Sequence, residues 1–281
     1  MTTSRLTSMT LPGGLLFDTL CPENTRIIHE EIFGENIYEA GGLEYADGDT
    51  IFDVGANLGL FVLWLNTRLT RACVHCFEPV PPIFAGLEHN VARHNRLDVR
   101  LHRAGASDKA EEVDFTFYPL TSSSSSRYPL DSPEAHADSR RFIRGELAKL
   151  GGLRGLVAAR GPSWMVDRWA ESIRRHYQRP ETVRCRLVRL SDVIREERVD
   201  RIDLLKLDVE GAEFEALAGL DDEHWGIVRQ AVVEVHGGAE AAARMKRLLE
   251  ARGFRAASVQ QDPDVFVRHH LIYARRPASG G

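Results

Sequence analysis

Thr50-Ile-Phe-Asp-Val-Gly-Ala-Asn-Leu-Gly59 is a run of β-branched and aromatic residues that breaks into a glycine loop. A buried strand that hands over to a helix through glycines is the opening unit of an α/β protein. Upstream, the turn Tyr45-Ala-Asp-Gly-Asp49 feeds the strand; downstream, alternation continues with a helix over 59–69, a strand over 72–77, a helix over 82–95 and a strand over 99–104. It resumes later with short helices over 190–196 and 213–218, strands over 202–207 and 227–235, and a helix over 239–252. Strands over 255–259 and 271–274 are close enough to pair antiparallel at the sheet edge. The pattern predicts a three-layer α/β sandwich: a seven-stranded, mostly parallel sheet with an antiparallel edge strand and helices on both faces. Such sheets bind ligands at the carboxyl ends of their strands.

The chain has 281 residues, near the upper limit for one hydrophobic core, so one main domain with an attached cap is expected rather than two equal domains. Its 43% hydrophobic and 27% charged composition is that of a globular chain. A net charge of -5 gives no electrostatic reason to expect a nucleic-acid partner. No apolar run approaches the roughly 20 residues needed to cross a bilayer, and residues 1–10 lack the apolar core of a secretory signal. A cytoplasmic protein with no membrane partner is expected. Four cysteines make no disulfide framework in a chain this long. Cys73 and Cys76 form a CxxC on a predicted strand, where residues three apart point to opposite faces, so they read as packing residues rather than a redox or zinc pair.

The glycine loop narrows the ligand. A dinucleotide fingerprint reads G-x-G-x-x-G and seats a pyrophosphate at its middle glycine; here Gly55 and Gly59 are spaced G-x-x-x-G around Ala56 and Asn57. Asp53, two residues before Gly55, would repel a pyrophosphate but suits a cation. S-adenosylmethionine carries both a sulfonium and an ammonium. About 20 residues on, the second strand ends at Phe77-Glu78-Pro79, where Glu78 can accept hydrogen bonds from ribose hydroxyls, or stand as a solvated strand-end carboxylate. An NAD- or nucleotide-sugar-dependent oxidoreductase is the competing enzyme class, and a non-catalytic S-adenosylmethionine-binding protein a third reading.

Two further strand ends carry acids. Leu204-Leu-Lys-Leu-Asp-Val-Glu-Gly-Ala-Glu213 places Asp208 and Glu210 two apart, and Val232-Val-Glu-Val-His236 does the same for Glu234 and His236. Methyl transfer to oxygen requires a base near the methyl group, and either His236 or a desolvated Glu210 could supply it. Alternatively, Asp208, Glu234 and His236 hold a divalent metal such as magnesium or manganese that acidifies the acceptor. Glu213 is expected on a solvated helix face, Asp208 has a competing use as a helix cap, and Lys206 reads as structural.

Residues 1–48, with a helix predicted over 24–33, read as an N-terminal cap, and 49–281 as the core. Within the core, 112–118 alternates like an edge strand, 121–126 is a low-complexity serine loop, and 129–182 is an insertion with helices over 139–150 and 163–177 around a glycine-rich turn at 151–155. This insertion, with His29 and Tyr38, is expected to form a lid over the acceptor. Phe142, Trp164, Trp169 and Tyr177 would line an apolar pocket or pack as core. Arg140, Arg141, Arg144, Arg174 and Arg175 form a solvated basic face or greet an acidic carrier protein or phosphorylated acceptor.

Together Asp53-Val-Gly-Ala-Asn-Leu-Gly59, Phe77-Glu-Pro79, Ala106-Ser-Asp108 with its following strand and serine stretch, Lys206-Leu-Asp-Val-Glu-Gly-Ala-Glu213 and Val233-Glu-Val-His236 resemble FkbM-type methyltransferases. The resemblance implies a class I, Rossmann-like methyltransferase fold, S-adenosylmethionine as donor, and a hydroxyl acceptor on a sugar, lipid or natural product. It also implies that Ser107 and Asp108 lie near the adenine. The insertion is longer than the loop usual in that family.

Overall fold

A short antiparallel hairpin, β1 (Thr7–Thr10) and β2 (Leu16–Thr19), leads into helix α1 (Pro22–His29), which continues as a π-helical turn over Glu30–Gly34. The computed structural model describes residues 5–128, 132–149, 155, 156, 158, 160–260 and 269–277. Pro22 opens α1 because its missing N–H is an orphan in the first turn anyway. The hairpin is clipped to the core by Asn90. This residue is fully buried, accepts the Asp18 N–H at 2.7 Å, and donates to the Asp18 and Leu58 carbonyls at 2.9 Å. Each bond contributes about 1 kcal/mol net, and loss of Asn90 would strand buried backbone groups at greater cost.

The core follows in the expected alternation: β3 (Asp49–Val54), α2 (Leu60–Leu65), β4 (Ala72–Phe77), α3 (Pro81–His94) and β5 (Asp98–His102). The chain then leaves the main sheet. β6 (Gly105–Ala106) and β7 (Glu111–Phe117) flank β8 (Glu181–Val188) in a separate three-stranded sheet, β6 parallel and β7 antiparallel to β8. The stretch expected as an edge strand over 112–118 is β7, paired with β8 as far as Phe117 and lying at the edge of that small sheet. The last two residues assigned to the insertion, Glu181 and Thr182, belong to that strand. Between β7 and β8 lie α4 (Pro133–Lys149) and α5 (Ser163–Tyr177), joined by the Arg144–Asp167 ion pair at 2.7 Å and a 3.0 Å bond from Gln178 to Ser139. Most of the expected glycine turn at 151–155, and residues 129–131 of the insertion, lie outside the described residues.

The remainder is α6 (Leu190–Glu197), β9 (Leu204–Leu207), α7 (Glu213–Ala218), α8 (Asp222–Trp225), β10 (Gln230–His236), α9 (Gly238–Ala251), β11 (Arg255–Gln260) and β12 (His269–Arg275). The seven-stranded sheet runs β11-β12-β10-β9-β3-β4-β5, with parallel pairing from β10 to β5. The expected antiparallel pair lies at the edge. The antiparallel strand is β12, one place inside the outermost β11 and hydrogen-bonded to β10 on its other side.

Alternation along the strands divides the core. Ile51, Val74, Cys76 and Leu204 face α2, α3 and the N-terminal segment; Phe52, Val54, Leu205, Leu207 and Val233 face α6, α7 and α9. Both faces are covered, so the central strands are buried throughout. Cys73 is half-buried, Cys76 fully buried, and both are free thiols. Among the described residues no helix is long and apolar enough to cross a membrane.

Where β4 meets β5, the His75 Nδ1 lies 3.1 Å from His102 Nε2, with the two rings stacked. Burial, then the neighbouring His102, pushes His75 down to about 4 from an ordinary 6.5. A folded pKa below the unfolded one means that the unfolded chain takes up the extra proton. Stability is therefore full above about pH 6.5 and drains as pH falls toward 4, on the order of 3 kcal/mol from this group. In denaturant titrations, His75→Phe should lose less stability than wild type between these limits; parallel losses would refute the assignment.

Candidate active site

A cleft of about 1130 Å³ opens over the carboxyl ends of β3, β4, β9 and β10. Gly55, Ala56, Asn57, Glu78, Pro79, Ser107, Asp208, Glu210 and His236 all line it. Its size exceeds the range usual for one small ligand, leaving room for a donor and an acceptor together.

The glycine loop is shaped by contact with β9. A Cβ at Gly55, whose φ is +85°, would fall 1.7 Å from the Asp208 carbonyl oxygen, so only glycine fits where the ends of β3 and β9 meet. Gly55 and Ala56 donate their N–H groups to the Phe77 carbonyl at 3.0 and 2.9 Å, and Gly59 donates to Ala56 at 3.0 Å. Asn57 N–H goes to Glu78 Oε2 at 3.2 Å, and Leu58 N–H to Asn57 Oδ1 at 2.8 Å. Every loop N–H from 55 to 59 is thus spoken for by the protein, leaving none to cradle a pyrophosphate. This counts against a dinucleotide.

Three expected cofactor contacts lie elsewhere. Asp53 is fully buried beneath the loop and does not line the cleft. The cation it meets is the chain's own Lys206, whose Nζ lies 3.0 Å from Asp53 and donates to the Gly55 carbonyl at 2.7 Å. Gly59 caps α2 in the left-handed region, behind the cleft wall. Asp108 is exposed and holds the adjacent Ser107 hydroxyl at 3.1 Å, while Ser107 itself is buried and lines the cleft.

Glu78 is 5% exposed. Burial pushes its carboxyl up to about 7, partly offset by the N–H groups of Val80, at 2.9 Å, and Asn57.

Opposite stands a cluster from β9, β10 and β12. β9 ends at Leu207, and the chain turns through Glu210, a non-glycine residue with φ +52°, before α7 begins. Ala212 caps α7 without a side-chain bond, so Asp208 is not a helix cap. His236 Nε2 lies 3.4 Å from Glu210 Oε2 and 3.8 Å from Glu234 Oε1, and makes no hydrogen bond. Its Nδ1 donates to Glu213 Oε1 at 2.7 Å. Glu213, expected on a solvated face, is 1% exposed. Burial disfavours protonated His236, but Glu210, Glu213 and Glu234 outweigh it and hold the ring well above its ordinary pKa. Burial and its acidic neighbours raise Asp208 to about 7; burial raises Glu210 to about 8 against the pull of His236. Two sets, Glu234–His236–His269 and Asp208–Glu210–His236, bring three ligand atoms within 4.8 Å and are where a divalent cation would fit.

His269 and Glu31 were not singled out from sequence. His269 sits across from His236 in the β10–β12 register, and only that pairing reveals it. Glu31, in the π-turn, lines the cleft; burial, then Glu234 and Asp208, raise it to about 8. From the N-terminal segment and the insertion, Phe142, Trp169, Tyr177 and Tyr38 line the cleft, whereas Trp164 is 69% exposed and His29 stacks on Phe33. The expected basic face is largely neutralised: Arg140, Arg174 and Arg175 converge on Glu171, and Arg144 meets Asp167. The serine loop ties the walls together. Ser122 donates to Asn57 at 3.3 Å, Asn24 to Ser123 at 3.3 Å, and Ser126 to the Glu210 carbonyl at 2.5 Å.

The strand order, the cleft at the switch point and its acid-rich wall define a class I S-adenosylmethionine-dependent methyltransferase. A family model described as "Methyltransferase FkbM domain" matches residues 53–256. The chain is 34% identical over 271 residues to 31-O-demethyl-FK506 methyltransferase FkbM of Streptomyces tacrolimicus, covering 96% of this chain and 97% of that protein. It is 38% identical over 259 residues to AMB antimetabolite synthetase AmbE of Pseudomonas aeruginosa, covering 90% of this chain but 12% of that protein. Methyltransferase 1 of Beauveria bassiana is 30% identical over 253 residues, with 89% of each chain covered. This chain belongs to the FkbM methyltransferase family, and S-adenosylmethionine is its methyl donor.

Were Glu78 to hold the ribose, as its place at the end of β4 suggests, only its carboxylate form would accept both hydroxyls. Affinity for S-adenosylhomocysteine, measured by calorimetry, should rise by up to about tenfold from pH 6 to 8 as the group ionises through about 7. The slope should vanish in Glu78→Gln; an unchanged slope there would remove Glu78 from the role.

Proposed function

We propose that this chain is an O-methyltransferase acting on a hydroxyl of a secondary metabolite. The observation that carries the reading is His236: its Nε2 is buried, free of hydrogen bonds and turned to the cleft beside Glu210. The name of the Streptomyces relative supports oxygen as the acceptor atom there, and the match to a synthetase supports acceptors tethered to a carrier protein.

S-adenosylmethionine, when bound, supplies a methyl group activated on a sulfonium. Glu78 holds the ribose edge, and Gly55, Ala56, Asn57, Pro79 and Ser107 form the remaining donor wall. In its neutral form, which the surrounding carboxylates confine to alkaline pH, His236 takes the acceptor's hydroxyl proton as the oxygen attacks; Glu210, ionised above about 8, is the second candidate base, so turnover should rise with pH through the alkaline range. Asp208 and Glu234 lie close enough to stabilise the resulting imidazolium. Residues 1–48 and the insertion act as a lid, with Phe142, Trp169, Tyr177 and Tyr38 offering an apolar seat and excluding water.

His236→Ala should lower kcat by about 10²-fold or more, and Glu210→Gln by less, with S-adenosylhomocysteine affinity nearly intact. Wild-type turnover in both would remove them as bases. A screen of hydroxylated acceptors read by mass spectrometry tests the reaction itself: tight S-adenosylhomocysteine binding with no methylated product across the panel would favour a binding protein. Chelation separates the routes. A metal-assisted reaction is lost to EDTA and restored by magnesium or manganese, whereas one that runs on base alone is indifferent.

A further inference from the structure

We propose that Glu213 is a positioning residue, which fixes the orientation and tautomer of His236 so that Nε2 faces the cleft. The inference rests on the reading of His236 as base. Glu213 is the first residue of α7, 1% exposed, and its Oε1 accepts two N–H groups: His236 Nδ1 at 2.7 Å and Gly211 at 2.8 Å. A carboxylate is acceptor-only, so the ring nitrogen that faces it must carry the hydrogen. The neutral ring's lone pair then lies on Nε2, the atom left without a hydrogen bond. Gly211, at φ +98°, anchors the same oxygen to the turn that carries Asp208 and Glu210, so one carboxylate sets the spacing between that turn and β10. The ring of His269, edge-on with its centroid 4.5 Å from that of His236, packs the remaining side. A flipped His236 ring would turn a C–H toward Glu213 and forfeit the bond. The arrangement follows the general rule that a carboxylate on the far nitrogen of a base histidine decides which nitrogen can take a proton.

The test uses Glu213→Ala, Glu213→Gln and the double variant Glu213→Ala/His236→Ala. Glu213→Ala should lower kcat by about 10- to 100-fold with acceptor KM and S-adenosylhomocysteine affinity unchanged. Glu213→Gln keeps an acceptor oxygen for both N–H groups and should recover part of the loss. Removing Glu213 from His236→Ala should cost nothing further, since a residue that acts only through the ring has nothing left to position. Nitrogen chemical shifts of the ring at alkaline pH should report the Nδ1–H tautomer in wild type and Glu213→Gln, and a mixture in Glu213→Ala. Full turnover in Glu213→Ala, additive losses in the double variant, or an unaltered tautomer would overturn the proposal. Where Glu213→Ala does not fold, Glu213→Met, which fills the same space without an acceptor oxygen, takes its place: a tautomer mixture supports the proposal and a pure Nδ1–H tautomer overturns it. Wild-type turnover in His236→Ala would sink the base reading, while the tautomer measurement would still judge the positioning.

Discussion

The ion pair between Asp53 and Lys206 holds the site together. Both side chains are almost wholly removed from water, at the point where β3 and β9 end side by side. Burying two charges costs several kcal/mol per ion, and the Coulomb attraction repays this only when remaining donors and acceptors are met. Lys206 meets one such demand by donating to the Gly55 carbonyl. The pair thus links strand to loop, and with Gly55 pressed against Asp208 it sets where the two acid-bearing walls begin. Burial raises Asp53, while Lys206 opposes that shift.

Around this anchor the polar groups divide by function. The glycine loop satisfies its own N–H groups inside the protein, and the far wall brings together Asp208 and Glu210, whose carboxyls are raised, Glu234, whose carboxyl is lowered, and His236, whose ring is held above its ordinary value. The serine loop joins the glycine loop, the acidic wall and α1 through three hydrogen bonds, so the three share one set of contacts.

The sheet could be read from sequence because its strands are continuous apolar runs between helical periods, and the strand ends could be read because ligands gather there. Glu78, Asp208, Glu210 and His236 follow from that rule alone. What escaped reading depended on pairing or depth. β8 alternates polar with apolar residues beside an insertion, and only its partner β7 marks it as a strand. Glu213 sits at a position that helical spacing leaves ambiguous between water and cleft, and the preceding left-handed Gly211 turns it inward. Asp53 is legible on its strand, but its cation comes from residue 206, a partner no local pattern supplies. His269 enters the site only through the register of β12.

That register has a consequence for how the chain reaches its working form. β10, with the run Gln230-Ala-Val-Val-Glu-Val-His236, pairs with β9 on one side and waits for β12 on the other. A chain emerging from the ribosome only as far as α9 presents this apolar strand with one row of backbone groups unpaired, a template for any neighbouring chain. The strand that quenches that edge also brings His269 against His236. Protection of that strand edge and completion of the histidine–carboxylate cluster are therefore the same event in biogenesis.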